Sequence, residues 1–472
     1  MPRAAARFVG PAVAFGSTHA LAILVGRATR VDGTEVSLVW PAAAVAVLWG
    51  IHARTLPRPA AAAHWILLTG LTFGVNLATG AAVDVSVYFA VVNLTLAAVT
   101  SALLAYGGRP VQLRDPLDLG RLAMAILAGT LVAATAAVVF FAARGHPDLP
   151  QTFALFAVRN GTTALVGTTV VLRMRHAQWR VPEVTPARVV EAVCCAAFAV
   201  AVFGRVFWFN PGMPTAFVIM VPAMWVSLRF STTTSTLFAS AAGTSIIWAT
   251  LLDRGVLRGV PPDDRALLAQ GMVGCLTGVV LALALFRDSR NELIEQLRHL
   301  AHHDPLTGLA NRTLLVQRLE SALERPRPAA ATVGVVYIDL DGFKLVNDAW
   351  GHREGDLLLQ EVARRVRASV RPVDVVARMG GDEFVVACLG LSGEDELREI
   401  AERIRVAVSA PYGAASDAPF DRISASVGVA LSGRNSTTRS LLAAADRAMY
   451  DAKRAGRAAT APLTAPGAPS AR

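Results

Sequence analysis

Lysine is nearly missing from this chain of 472 residues: Lys344 and Lys453 are the only two, and arginine supplies the rest of the 45 basic side chains. Charge of either sign is scarce, at 17% of residues against 54% hydrophobic, with a mean hydropathy of +0.46. That balance excludes a single ordinary soluble domain, and the length allows two or three domains. Cysteine is scarce too. Of the four, Cys194, Cys195 and Cys275 fall in long apolar stretches and Cys388 in a strand-like run, with no metal-ligand spacing. The pattern argues against a disulfide framework.

What the chain has instead is hydrophobic runs, almost all before residue 286. Ten stretches approach the roughly 20 apolar residues that cross a bilayer. They are 8–26, 36–52, 62–81, 85–106, 122–143, 151–172, 189–209, 214–228, 234–252 and 267–286. Several are short or carry polar residues, so the expected count is eight to ten. They lack the polar outer faces that helices of a soluble all-α protein need. The first run leads straight into more of the same and does not read as a cleaved signal peptide.

Arginine placement sets the orientation. With the N-terminus inside, Arg3, Arg7, Arg54, Arg58, Arg109, Arg114, Arg121, Arg173, Arg175, Arg180, Arg188 and Arg229 fall in inner segments. Half as many, Arg27, Arg30, Arg144, Arg254, Arg258 and Arg265, fall outside. Cytoplasmic loops carry that bias. An even number of spans then returns the chain to the cytoplasm at Phe286. The net charge of +10 needs no nucleic-acid partner, because basic loops meet anionic lipid at the inner leaflet. His19, Asn76, Asn93, Arg159, Asn160 and Arg205 lie in or near spans, where polar groups are costly. Such groups serve a function, mark helix ends or pair with neighbouring helices.

From residue 287 the composition changes. In "RDSRNELIEQLRHLAHH" (287–303), Leu293, Leu297 and Leu300 recur at i, i+4 and i+7 as one apolar stripe. Two turns are too short for an independent coiled coil; the segment is either the continuation of a membrane helix in a dimer or a connecting helix. Strand patterns then occur at 333–339, 375–379, 383–389 and 422–431, interleaved with helical patterns at 355–370, 393–410 and 439–456. The expected fold is an all-α polytopic membrane domain followed by an α/β (α+β) domain. Beyond Arg457, "AATAPLTAPGAPSAR" reads as disordered.

Within "ARMGGDEFVV" (377–386), Gly380-Gly381 permits the positive φ angles of a tight hairpin. Alone, this is as well read as a solvated turn. Asp339, however, ends one strand and Asp382 follows the hairpin tip. If the strands are neighbours, the two carboxylates converge and repel, which raises one pKa. A divalent cation relieves that, and hard oxygen ligands suit Mg²⁺, which takes one or two carboxylates plus substrate phosphates. The site therefore predicts a phosphate-bearing substrate. Both lysines sit close by in sequence, Lys344 five residues after Asp339 and Lys453 in "YDAKRAGR" (450–457). A compact ammonium is a common phosphate contact.

In order, "DPLTGLANR" (304–312), "DLDGFKLVNDAWGHREGD" (339–356), "RMGGDEF" (378–384), "SVGVA" (426–430) and "DRAMYDAKRAGR" (446–457) resemble the successive motifs of GGDEF-type diguanylate cyclases. "VSLVWPAAAVAVLWG" (36–50), through Trp40-Pro41 and the hydrophobic layout of 1–286, loosely resembles the membrane-associated sensor domains of bacterial signalling enzymes. The first resemblance implies a palm-like sheet that joins two GTP into cyclic di-GMP, releasing two pyrophosphates, with Mg²⁺ or Mn²⁺. It assigns Asp339, Asp382 and the carbonyl of Leu340 to the metal, and Asp382, supported by Glu383, to activation of the 3′-hydroxyl. Asn347 and Asp356 read guanine; a site built on such hydrogen bonds rejects adenine strongly. Lys344, Lys453 and Arg457, with the amides around Gly342 and Phe343, hold the phosphates. His352 is as readily a surface residue.

One site holds one GTP, so the mechanism requires a homodimer. "RPVD" (371–374) has the family's spacing for an inhibitory product site, with Arg371, Asp374 and, from a neighbouring helix, Arg403. The expected organisation is a transmembrane sensor domain at 1–286 in the bacterial inner membrane and a connecting or dimerisation helix at 287–303. A cytoplasmic cyclase domain at 304–458 and a disordered tail at 459–472 complete it. A catalytically silent cyclic di-GMP receptor, or a membrane scaffold, is the alternative. The stimulus is not legible.

Overall fold

The computed structural model describes residues 2–30, 37–106, 108–175, 185–209, 213–324, 332–412 and 423–456. The chain forms two compact units, one up to Asn291 and one from Glu292.

In the first unit every described element is helical apart from turns: α1 (Pro2–Ala28), α2 (Ala42–Ala53), α3 (Arg58–Ala78), α4 (Val83–Ala105), α5 (Pro116–Ala142), α6 (Leu149–Arg175), α7 (Pro186–Gly204), α8 (Met220–Arg229), α9 (Thr232–Leu251) and α10 (Pro262–His302), whose last turns belong to the second unit. Among the described residues eight helices are long and apolar enough to cross a membrane. The stretches at 36–52 and 214–228 fall short, forming only α2 and the apolar helix Thr215–Arg229. The 12 residues of α2 rise about 18 Å, well under a hydrocarbon core of about 30 Å. Pro41 caps its start, and Ser37 to Trp40 are not helical. With most of its residues buried, α2 is a helix apolar all round and packed on every side.

Most of the polar residues inside the unit satisfy themselves locally. The amides of Asn76, Asn93 and Asn160 donate to carbonyls one turn back, at 2.8, 2.8 and 2.9 Å, which removes a polar cost that lipid cannot. His19 Nε2 lies 2.8 Å from Thr72 Oγ1. Arg205 opens a single π turn to Phe209 and is exposed.

The second unit is an antiparallel four-stranded sheet in the order β2-β3-β1-β4, built from β1 (Thr332–Asp341), β2 (Val375–Gly380), β3 (Glu383–Leu391) and β4 (Ser424–Leu431). Helices cover both faces: α11 (Arg312–Glu324), α12 (Phe343–Trp350), α13 (His352–Ala368), α14 (Glu394–Ser409) and α15 (Thr438–Ala455). Alternation along β1 sorts its side chains. Val336, Ile338 and Leu340 join a core with α13 and α14, while Val333, Val335 and Tyr337 pack with α11 and α15. Phe384, fully buried, contributes about 1.5–3 kcal/mol of apolar transfer to the first layer. On the second, α15 crosses directly over Gly428, where any Cβ would strike the backbone of Ala445 and Met449. That position must be glycine for the helix to sit close, and α15 is what carries Lys453.

Candidate active site

β1 and β3 are hydrogen-bonded neighbours in a register that opposes Asp339 to Glu383. The amide of Leu340 donates to the carbonyl of Asp382 at 3.3 Å. The pairing therefore sets the end of β1 against the hairpin tip. Gly380 and Gly381 take φ of 142° and 54°, backbone that L side chains rarely adopt, so the tight reversal depends on them.

Asp339 is 8% exposed. Its Oδ1 accepts from Lys453 Nζ at 2.6 Å. Burial nevertheless raises its pKa, and repulsion from Asp382 and Asp341 adds to that; together these outweigh the ion pair. The lysine also moves upward. Burial opposes its charge, but the bond to Asp339 and the field of Asp339, Asp341 and Asp382 overcome that. The two shifts differ in their chief cause: burial lifts Asp339, while three carboxylates around one ammonium lift Lys453. Asp341, buried at the end of β1, is held by Ser424 and Ser426 hydroxyls at 3.0 Å.

Glu383 is fixed from below. The Tyr337 hydroxyl donates to its Oε2 at 2.9 Å, and Tyr337 is pushed above its usual pKa by burial and by that carboxylate. Arg378 clamps the hairpin: Nε and one terminal nitrogen donate to the Gly381 carbonyl at 3.0 and 2.8 Å, and the other reaches both oxygens of Asp304 at 3.2 Å. Burial opposes ionisation of Asp304, but the Thr307 hydroxyl and amide and Arg378 hold its pKa below the ordinary carboxylate value. The "DPLTGLANR" segment is thereby tied to β2 and the hairpin tip. Sequence reasoning did not single out Tyr337, Arg378, Asp304 or Asp341. The last two are visible in their motifs as acids; the tyrosine left no signal.

The remaining expected residues lie on α12 and α13. Gly342 precedes α12, Phe343 opens it, and Lys344 on its first turn is exposed. Asn347 packs so closely against Gly355 that a Cβ there would overlap its Oδ1, which places it beside the start of Asp356 on the next helix. Asp356 and His352 are exposed. Arg457 and the tail 459–472 lie outside the described residues.

Around 371–374, Asp374 is 2% exposed. Its oxygens accept from the amides of Arg371 and Leu389 at 3.0 and 3.1 Å. The carboxylate thus builds the turn into β2. Arg371 also pairs with Glu396, and Arg403 Nε donates to the Ser369 carbonyl at 2.7 Å. Among the described residues no group of three or more His, Cys, Asp or Glu side chains is gathered to hold a metal unaided. A two-carboxylate set needs oxygen from elsewhere, which substrate phosphates supply.

This sheet, hairpin and acid cluster define a GGDEF domain, and residues 301–459, which match the family described as diguanylate cyclase, GGDEF domain, belong to it. The bifunctional diguanylate cyclase/cyclic di-GMP phosphodiesterase MucR of Pseudomonas aeruginosa is 48% identical over 179 residues, covering 38% of this chain and 25% of MucR. Diguanylate cyclase TpbB of the same organism is 44% identical over 163 residues, covering 34% of this chain and 37% of TpbB. The chain therefore spans well under half of these relatives. A structure of the coiled coil and GGDEF domain of DgcB from Caulobacter crescentus in complex with c-di-GMP is similar at 31% identity, covering 38% of this chain and 92% of that one, with a TM-score of 0.35.

Proposed function

We propose that the chain is a membrane-bound diguanylate cyclase that condenses two GTP into cyclic di-GMP and two pyrophosphates. The observation that carries this reading is the pairing of β1 with β3, which brings Asp339 and Asp382 within each other's field. A buried carboxylate crowded by two others, with one ammonium for relief, fits a divalent cation. Asp339, Asp382 and the Leu340 carbonyl would hold Mg²⁺ or Mn²⁺, which supplies charge neutralisation at the α-phosphate and the departing pyrophosphate. Asp382 helps take the proton of the attacking 3′-hydroxyl, and Glu383, steadied by Tyr337, supports that geometry. Asn347 and Asp356 receive guanine. Lys344, Lys453 and Arg457 meet the triphosphate, with the amides of Gly342 and Phe343.

The reaction requires two sites facing each other, hence a homodimer. In support, Leu293, Leu297 and Leu300 on the last turns of α10 are 55, 56 and 64% exposed, an apolar stripe suited to a second copy. The eight long apolar helices support multi-pass insertion in the inner membrane, with the cyclase domain in the cytoplasm and the membrane unit as signal input. At the inhibitory product site Arg371 and Arg403 would meet the product, while Asp374, buried on the amides of Arg371 and Leu389, shapes the turn that presents Arg371 and does not reach the product itself. Glu396 must release Arg371 before product binds.

The purified chain given GTP and Mg²⁺ should form cyclic di-GMP, and given ATP should form no cyclic dinucleotide. A folded dimer that makes no product from GTP would leave the silent-receptor reading in its place. Arg371→Ala should abolish inhibition by added cyclic di-GMP while the initial rate persists; unchanged inhibition refutes the product site.

A further inference from the structure

Three of the nine histidines crowd the last turn of α10 and its exit: His299, His302 and His303. His299 and His303 stand one helical turn apart, so their side chains leave the same face. Their rings lie 4.4 Å apart, centroid to centroid, and 21° from parallel. His299 is exposed and His303 half-buried, at the start of the second unit.

The His303 ring is oriented by a bond of its own. Its Nδ1 lies 3.2 Å from the Gly308 carbonyl oxygen. A carbonyl only accepts, so Nδ1 carries the proton and Nε2 keeps the lone pair. A ring that donates one N–H to a backbone carbonyl and turns its other nitrogen outward has the bonding of a metal-ligating histidine. The backbone beneath is held as well. The His303 amide donates to the His299 carbonyl at 2.8 Å. Asn311 caps the helix end, with its amide on the His302 carbonyl at 2.9 Å and its side chain on the Ala301 carbonyl at 2.8 Å.

We propose that His299 and His303 form a two-histidine site for a divalent transition ion, with Zn²⁺ as the type. Imidazole nitrogens bind Zn²⁺ at 2.0–2.1 Å, so two of them on one ion stand at most about 4 Å apart. Side chains at this spacing start from Cβ atoms about 5–6 Å apart, and turning the two rings brings their nitrogens into that range. Histidines at i and i+4 are how one helix face presents a pair of ligands to zinc. His302 is no third ligand: its Nδ1 is buried, and among the described residues no group of three is gathered. Water fills the other positions. Mg²⁺ prefers oxygen and is excluded. A bound ion would join the last turn of α10 to the turn at Gly308 and stiffen the segment that carries Leu297 and Leu300. The site stands apart from the cyclase reading, and its test does not use activity.

The experiment uses the full chain, without a histidine tag, in nanodiscs with saturating Mg²⁺ to fill oxygen-ligand sites. Zn²⁺ binding is measured by calorimetry and local order by amide hydrogen exchange. Zn²⁺ should slow exchange across residues 299–308. His299→Ala and His303→Ala should each abolish the slowing and weaken binding at this site by at least about tenfold, the scale that loss of an outer partner alone reaches. His302→Ala should keep both responses. A Cu²⁺ spectrum should show two nitrogen ligands in the unaltered chain and fewer in either variant. No slowing by Zn²⁺, slowing that persists in either single variant, or an equal loss in His302→Ala would overturn the assignment.

Discussion

Lys453 holds the place of a cation. Its ammonium lies 2.6 Å from Asp339 Oδ1 and feels Asp341 and Asp382 as well. Replacing it with methionine keeps an unbranched side chain and removes the charge. Two unit charges at about 4 Å interact by about 4 kcal/mol at an effective dielectric near 20. The lysine side chain is 42% exposed and that of Asp339 12%, so solvent and salt leave about 1–1.5 kcal/mol of that. Converted to affinity, this is about tenfold. Lys453→Met should therefore bind Mn²⁺ about tenfold more tightly without nucleotide, by calorimetry at low salt, because a competing cation has left. Its kcat/KM for GTP should fall by at least about tenfold, as a phosphate contact is lost. Added salt should shrink the gain in Mn²⁺ affinity. Weaker or unchanged Mn²⁺ binding in a folded variant would refute the reasoning, since the lysine would then be positioning the acids and not competing for them.

Two further outcomes follow from the same cluster. Asp339→Asn should stabilise the fold at neutral pH. A carboxyl whose folded pKa is raised binds its proton more readily in the native state, so its contribution is present below the unfolded pKa and lost as pH rises through the folded value. The variant's advantage in unfolding temperature should thus appear near pH 7 and vanish toward pH 3; an advantage confined to acid contradicts the shift. Arg378→Ala should lower stability by about 3 kcal/mol, since it strands Asp304 and frees the Gly381 carbonyl. Arg378→Lys should recover little of this, because one ammonium cannot serve both partners; full recovery would mean that charge alone matters there.

The four-stranded sheet was legible because its strands are short apolar runs ending on glycines or acids, and motif order located the acids within it. What escaped depended on partners far away in sequence. Arg378 meets Asp304 across 74 positions, and Asp374 is buried because the amide of Leu389 needs it. Neither contact leaves a local pattern. α11 was missed because it buries only Leu315 and Leu319, and the eight residues of α12 are too few to show a period. Eight long helices lie within the expected eight to ten, and the two stretches that fall short do so for a different reason. Hydropathy sums residues regardless of conformation, so the run through Trp40 and Pro41 scored as a span although only Ala42–Ala53 is helical.

The central claim is that Asp339 and Asp382 act as one unit upon one bound cation. The most direct measurement is initial cyclic di-GMP formation from GTP and Mg²⁺ by the full chain and by Asp339→Ala, Asp382→Ala and the double variant, each checked for folding and dimerisation. Each single change should reduce the rate at least about a thousandfold, and the double should be no worse than either alone, because a unit once broken cannot be broken again. A substantial rate in either single variant, or losses that multiply in the double, would contradict it.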